Sequence, residues 1–191
     1  AERQLILADY LTERVGTVPV RRDLPGDAAA AVDLELYDVE DQRVLEVALD
    51  AGLHFWSTRT RWSPTGHDLL VERVSNDFHV RQILTVDPEA GRTRLLHSER
   101  DDAWIGGPLL WCDWGDNGGV WFTSEQRGFN HLYRAAAEAS VATPITDATA
   151  AFEVLEVVAP RELEQLVALT NEPDPAERRV YVIDPATGER R

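Results

Sequence analysis

The sequence predicts an all-β fold of small repeated antiparallel sheets, and three observations carry that prediction. Short apolar runs ending at an Asp recur as Leu36-Tyr37-Asp38, Thr85-Val86-Asp87 and Val182-Ile183-Asp184, and a degraded copy, Leu132-Tyr133-Arg134-Ala135-Ala136, fills the gap. Their last positions, 38, 87, 136 and 184, stand 49, 49 and 48 residues apart. Each copy holds several short β-runs separated by turn residues, while helical periodicity is nearly absent. A repeat of roughly 40 to 50 residues with several strands per copy is the mark of propeller blades. The expected architecture is a partial β-propeller of about three to four blades, each an antiparallel four-stranded sheet. Blade-like units fall at approximately 1–50, 51–100, 101–147 and 148–191, as fragments of one domain.

In the first unit Leu5–Ala8 reads as a strand. Arg14–Ala31 carries Pro19, Pro25, Gly26 and an alanine run, which suggests a long excursion with at most a helical turn at Ala28–Ala31. Leu34–Asp38 and Arg43–Ala48 then form a hairpin-like pair. The second unit is the most regular. Thr58–Trp62 is followed by a Ser63-Pro64-Thr65-Gly66 turn, Asp68–Val74, a polar break, Val80–Val86, an Asp87–Gly91 turn and Thr93–His97. The third unit places Trp114 and Gly118 where the second has Trp62 and Gly66, then runs through Val120–Ser124, Phe129–Arg134 and Ala142–Ile145. The fourth comprises Glu153–Val158, Gln165–Thr170 and Arg179–Ile183, without an outermost strand. Each unit buries its apolar face only against a neighbour.

Composition narrows the functional classes. The chain has 191 residues, 43% hydrophobic and 28% charged, which are globular values. Its net charge of −15 repels phosphate backbones, so nucleic-acid binding is not expected. All 19 basic residues are Arg, a bias that points to a GC-rich genome and not to a mechanism. No Met is present, not even at the start, so the chain is expected to be a piece of something longer. No apolar run approaches the ~20 residues that cross a bilayer. No signal peptide is visible, which leaves a bacterial cytoplasmic or exported location open. The lone Cys112 implies no internal disulfide and reads as a small strand residue.

Catalytic and metal motifs are not recognisable. No Gly-x-Ser-x-Gly elbow occurs, and no Ser–His–acid set is singled out, so no catalytic residue is assigned. The histidines at 54, 67, 79, 97 and 131 lack zinc-ligand spacing, and Asp113, Asp116 and Asn117 do not satisfy a calcium-loop pattern. Neither a metal nor a cofactor is expected. Gly115, Gly118 and Gly119 form no phosphate loop, because a strand follows them. Asp101-Asp102 reads as a solvated corner rather than a pair of glycosidase carboxylates. Most of the six tryptophans read as core or inter-blade packing residues. Trp104 differs, since it lies in the connection Asp101–Gly107 between two units, where a propeller opens its central channel, and so becomes a candidate pocket-lining residue.

Several strings at blade spacing sharpen the reading: Trp62-Ser63-Pro64-Thr65-Gly66, Val86–Gly91, Thr123–Tyr133, Phe152–Val157 and Thr170–Tyr181. In this order they resemble the N-terminal β-propeller of dipeptidyl peptidase IV-like serine peptidases, of the prolyl oligopeptidase family, over about residues 34–191. Ahead of that span, Arg22-Asp23-Leu24-Pro25-Gly26 stands where the family often has an Arg/Tyr-Pro-x-Ala-Gly stretch. The resemblance implies an eight-bladed propeller that caps a C-terminal α/β-hydrolase domain, absent from this chain, which carries the Ser–Asp–His triad and releases N-terminal dipeptides from peptides. It implies a peptide substrate, that hydrolase domain as the partner within the same parent chain, and a homodimeric parent. Trp104-Ile105-Gly106 looks like the family segment leading toward the substrate cavity, so these three are the expected substrate-contacting residues. Gly107-Pro108 replace the aromatic and Arg residues that can follow it. The family's amine-binding acids lie in an earlier blade, and none is assigned here. The function expected on this resemblance is non-catalytic: to gate and shape the cavity above a downstream serine. Two other classes compete with it: a stand-alone interaction propeller of the TolB or WD40 kind, and a stand-alone glycan-binding or glycan-hydrolysing propeller using Trp104 as a stacking platform.

Overall fold

The computed structural model describes residues 4–11, 13–21, 33–49, 53–54, 60–75, 77–105, 110–115, 118–137, 141–160 and 164–191. Among them the regular elements are strands, with no α-helix. The chain divides into two compact units, 1–31 and 32–191.

The first unit contains one hairpin, β1 (Gln4–Asp9) with β2 (Gly16–Arg21), paired from Gln4↔Arg21 to Asp9↔Gly16. β2 corrects the expectation of an irregular excursion from Arg14. Pro19 lies inside the strand, opposite Ile6. A two-stranded ribbon leaves each strand one unpaired edge, where a residue without N–H is tolerated. The Ala28–Ala31 turn lies outside the described residues.

The second unit is a series of antiparallel sheets. β3 (Glu35–Asp38) and β4 (Arg43–Glu46) form a hairpin. The next sheet orders β5 (Leu53–His54), β7 (Leu69–Ser75), β8 (Val80–Val86) and β9 (Thr93–Arg100), with β6 (Thr60–Trp62) also on β7. β5 pairs at Val74 and Ser75 and β6 at Leu69–Val71, so the first edge of this sheet is made in two pieces. The third sheet is β10 (Cys112–Trp114), β11 (Val120–Ser124), β12 (His131–Ala135) and β13 (Thr143–Pro144). The fourth is β14 (Val154–Val158), β15 (Leu166–Thr170) and β16 (Arg179–Ile183), beyond which Ile183 bridges Arg190.

Alternation of side chains along the strands explains how the sheets stack. In the second sheet Leu69, Val71, Leu84 and Val86 are buried toward the β3–β4 hairpin, packed with Val47 and Leu36. Leu70, Ile83 and Leu96 face the other way, against Cys112, Trp114, Phe122 and Tyr133 of the third sheet. That sheet's opposite face puts Leu132 and Ile145 against Phe152, Val154, Leu166 and Ile183 of the fourth. Each such side chain contributes about 1.5–3 kcal/mol on burial, so the faces between sheets hold the unit together. Face-to-face stacking of small antiparallel sheets in chain order is a partial β-propeller.

The recurring Asp turn contributes a second kind of contact. Asp87 Oδ1 accepts from the backbone N–H of Glu89 and Ala90, and Asp184 Oδ1 from those of Ala186 and Thr187. Gly91 and Gly188 close these turns at φ of 66° and 76°. A Cβ at either would press into a carbonyl oxygen of the preceding sheet, Glu46 for Gly91 and Ile145 for Gly188. The turn therefore docks one blade on the last strand of the one before. Ala48 N–H donates to Gly91 O at 3.1 Å, and Arg134 Nη1 donates to the Pro185 and Ala186 carbonyls at 3.2 and 2.9 Å.

Candidate functional site

Up-and-down strand order assigns the loops to two ends. The turns β7–β8, β11–β12 and β15–β16 share one end with the connections β9–β10 and β13–β14, while β6–β7, β10–β11 and β14–β15 turn at the other. Trp104 and Ile105 lie at the first end, following β9. Asp101 organises the corner: its N–H donates to His79 O at 3.0 Å, and its Oδ1 accepts from Ala103 N–H at 2.6 Å and Trp104 N–H at 3.2 Å. The Asp101-Asp102 pair is thus a structured, exposed turn. Ile105 N–H donates to Phe78 O at 2.5 Å, which ties the connection to the β7–β8 turn. Phe78, at φ 59°, meets Trp104 edge to face with ring centroids 5.9 Å apart.

The expected site residues do not share one environment. Trp104 is 60% exposed, and Ile105 is buried at 7%. Gly106, with Gly107 and Pro108, lies outside the described residues. Trp104 and Ile105 line a small cleft of about 60 Å³ together with Glu99, Asp101, Leu110 and Glu125. Arg100 also lines it, and the carboxylates of Glu99, Asp101 and Glu125 outnumber that one guanidinium. Burial pushes the Glu125 carboxyl up, and the neighbouring charges of Glu153, Glu99 and Asp101 add to that shift.

Beneath the cleft lies a cluster that inspection of motifs does not single out. Arg81 on β8 is fully buried and pairs directly across the ladder with Glu99 on β9; Glu72 on β7 is its diagonal neighbour on the same face. The guanidinium donates to Glu72 Oε1 at 2.7 Å through Nε and to Glu99 Oε1 at 2.9 Å through Nη1. It reaches the third sheet through the carbonyls of Thr123 (2.5 Å) and Trp111 (3.4 Å). Burial opposes the charge on Arg81, but Glu72 and Glu99 outweigh it and raise its pKa. Burial likewise works against the Glu99 carboxylate. Interactions with His97, Arg81 and Ser124 prevail and hold it down at about 2. His97 Nε2 is 3.6 Å from Glu99 Oε2, too far for a hydrogen bond and close enough for charge attraction when protonated. Ser124 donates to Glu99 Oε2 and in turn accepts the N–H of Gln126 on the cleft wall. Cys112 Sγ lies 3.6 Å from Glu72 Oε2, buried in β10 as a small strand residue. The sequence shows Glu72 and Arg81 as charged residues inside apolar strand runs, but no local pattern brings them together.

Other titratable candidates have structural partners. His131 is buried, with Nδ1 3.1 Å from Thr146 Oγ1 and Nε2 3.1 Å from Ala150 O, and burial lowers its pKa. Asp113 accepts from Arg61 at 2.6 Å, while Asp116 and Asn117 lie outside the described residues. Among the described residues no helix is long and apolar enough to cross a membrane.

The family model for the dipeptidyl peptidase IV N-terminal region matches residues 12–191. The chain belongs to that family. Solved structures agree on the fold. Dipeptidyl peptidase 4 of Porphyromonas gingivalis superposes with a TM-score of 0.82 at 20% identity, covering 100% of this chain and 27% of its own. A structure assigned as dipeptidyl aminopeptidase IV of Bacteroides ovatus gives 0.73 at 16%, covering 99% and 29%. TolB of Acinetobacter baumannii gives 0.55 at 15%, covering 98% and 39%. The chain thus spans less than a third of the two peptidase structures. No curated protein sequence matches it. This DPP IV-type propeller segment carries its candidate site at the end where Trp104 and the acids meet.

Proposed function

We propose that this segment is the non-catalytic propeller portion of a dipeptidyl peptidase IV-like serine exopeptidase, and that its Trp104 end gates and shapes the cavity in which a peptide loses its N-terminal dipeptide. The single observation that carries the reading is the family match over 12–191. The bond-breaking serine belongs, in this reading, to an α/β-hydrolase domain elsewhere in the parent chain, and the parent is a homodimer. The segment supplies blades at about 1–50, 51–100, 101–147 and 148–191. Trp104, Ile105 and Gly106 contact the substrate. Trp104 offers an exposed aromatic face beside Glu99, Asp101 and Glu125, and such a surface favours a cationic or neutral peptide over an anionic one.

In the parent enzyme, Trp104→Ala is expected to raise KM for dipeptidyl-chromophore substrates while kcat stays close to wild type, because an exposed wall removes binding rather than chemistry. An unchanged kcat/KM refutes the substrate-contacting role. Turnover by the 191-residue chain alone, sensitive to a serine-directed inhibitor, refutes its non-catalytic assignment. The TolB likeness keeps a second reading in view, a propeller interaction module without peptidase activity. A Gly-x-Ser-x-Gly elbow in the parent sequence decides against it.

A further inference from the structure

The opposite loop end carries a different constellation. Trp62 and Trp114 open the same Trp-x-x-x-Gly turn in neighbouring sheets, closed by Gly66 and Gly118 at φ of 77° and 72°. Their fates diverge. Trp114 is buried at 8%, and its Nε1 donates to Arg61 O at 2.9 Å. Trp62, one sheet earlier, remains 51% exposed. Trp121 on β11 lies across Gly115 so closely that a Cβ there would fall 2.9 Å from the indole Nε1. These three indoles, with Arg61, Asp113 and Glu164, line a cleft of about 530 Å³, within the range of roughly 300–1,000 Å³ typical of small-ligand sites.

The polar groups in this cleft define what it accepts. Arg61 Nη1 donates to Asp113 Oδ2 at 2.6 Å, so the two charges cancel. A guanidinium has five N–H donors and a carboxylate about four acceptor positions, so the pair still presents donors and acceptors side by side. Glu164 at the rim and the net charge of −15 disfavour phosphate, sulfate or carboxylate ligands. An uncharged ligand with an apolar face for an indole and adjacent hydroxyls for the Arg–Asp pair matches every one of these features. We propose that the cleft between Trp62, Trp121 and the Arg61–Asp113 pair binds a neutral oligosaccharide, with one sugar face lying on Trp62. This site is separate from the Trp104 end and does not depend on the peptidase reading.

The test is calorimetric titration of the 191-residue chain with four neutral probes, maltohexaose, cellohexaose, xylohexaose and N-acetylchitohexaose, with decaproline as a peptide probe. At least one sugar is expected to bind with Kd of about 1 mM or tighter, a typical threshold for a shallow specific site. Trp62→Ala weakens that binding about tenfold or more, Trp62→Phe retains part of it, and Trp104→Ala leaves it unchanged. Trp62 is half exposed, and near-ultraviolet circular dichroism confirms that the variants stay folded. Absence of binding to all four sugars overturns the proposal, as does sugar binding indifferent to both Trp62 variants. Decaproline binding that is lost in Trp62→Ala, with no sugar bound, overturns it in favour of a peptide groove. Loss of sugar binding in Trp104→Ala would instead place the sugar at the other end.

Discussion

Replacing Arg81 by Met tests the buried cluster most directly. Methionine fills much of the aliphatic volume but leaves Glu72 and Glu99 facing each other, at side-chain exposures of 4% and 7%. Removing one partner of a buried ion pair costs about 3–5 kcal/mol, because the remaining charge is stranded. A loss of that size is a large fraction of the ~5–15 kcal/mol that holds a domain folded. The pH dependence separates this account from simple loss of packing. In the wild type the folded pKa of Glu99 is below its unfolded value, so its stabilisation is complete above about 4.5 and vanishes as pH falls toward 2. Without the guanidinium, burial and the facing Glu72 carboxylate push the folded pKa up, against the His97 and Ser124 interactions that remain. The variant is then expected to lose stability as pH rises from 4.5 toward neutrality, where the wild type is flat for this group. Urea unfolding followed by tryptophan fluorescence from pH 4.5 to 8 measures both slopes. Parallel curves for wild type and Arg81→Met would refute the reasoning. So would failure of the triple variant Arg81→Met, Glu72→Leu, Glu99→Leu to recover stability, since an apolar trio removes the stranded charges.

The docking turns give a paired prediction: Gly66→Ala, at φ 77° with open space around it, costs about 1 kcal/mol, and Gly188→Ala costs clearly more, because strain at φ 76° is joined by collision with the Ile145 carbonyl. Equal urea midpoints for the two variants would show that the turn does not dock the preceding blade. Trp114→Ala should lose about 3–5 kcal/mol, as for a large buried aromatic, whereas Trp104→Ala at the surface should stay within about 1 kcal/mol by the same measurement. His131, held neutral by burial, should titrate below 6.5 in an NMR pH series of its ring protons; its contribution to stability is present above 6.5 and fades as pH falls. A midpoint at or above 6.5 contradicts its enclosure.

Much of the strand pattern was legible, and the misses have local causes. Val80–Val86, Val120–Ser124 and Arg179–Ile183 stand where apolar runs bounded by turn residues put them. β9 was expected to stop at His97 but continues to Arg100. Ser98-Glu99-Arg100 reads as a polar turn, yet Glu99 stays in the ladder because its carboxylate meets Arg81 across it. β12 was expected from Phe129 but starts at His131. Asn130 instead donates through Nδ2 to Val154 O in the next sheet, a bond between residues 24 apart that no local pattern encodes. Part of the expected Thr58–Trp62 strand, 58–59, lies outside the described residues; Thr60–Trp62 is a strand.

The sites divide along the same line. Trp104 was legible because its place between two repeat units assigns it to a loop end before any contact is known. The Arg81 cluster and the Trp62 cleft were not. Arg81 takes partners 9 and 18 residues away on two strands, and their convergence depends on a register that includes a shift between Ile83 and Leu84. Trp62 and Trp114 look equivalent in the sequence, and only the neighbouring sheet decides which one is covered. The Asp turn, by contrast, shows in the sequence because its backbone demands rare residues: a carboxylate to accept two N–H groups and a glycine at positive φ against a neighbouring carbonyl. The third sheet has lost that chemistry at Ala136, and there Arg94 of the preceding sheet donates to the Ala137 carbonyl. Blade docking is kept while its signature disappears, so the period of a propeller is most readable where the backbone, rather than a long side chain, makes the contact.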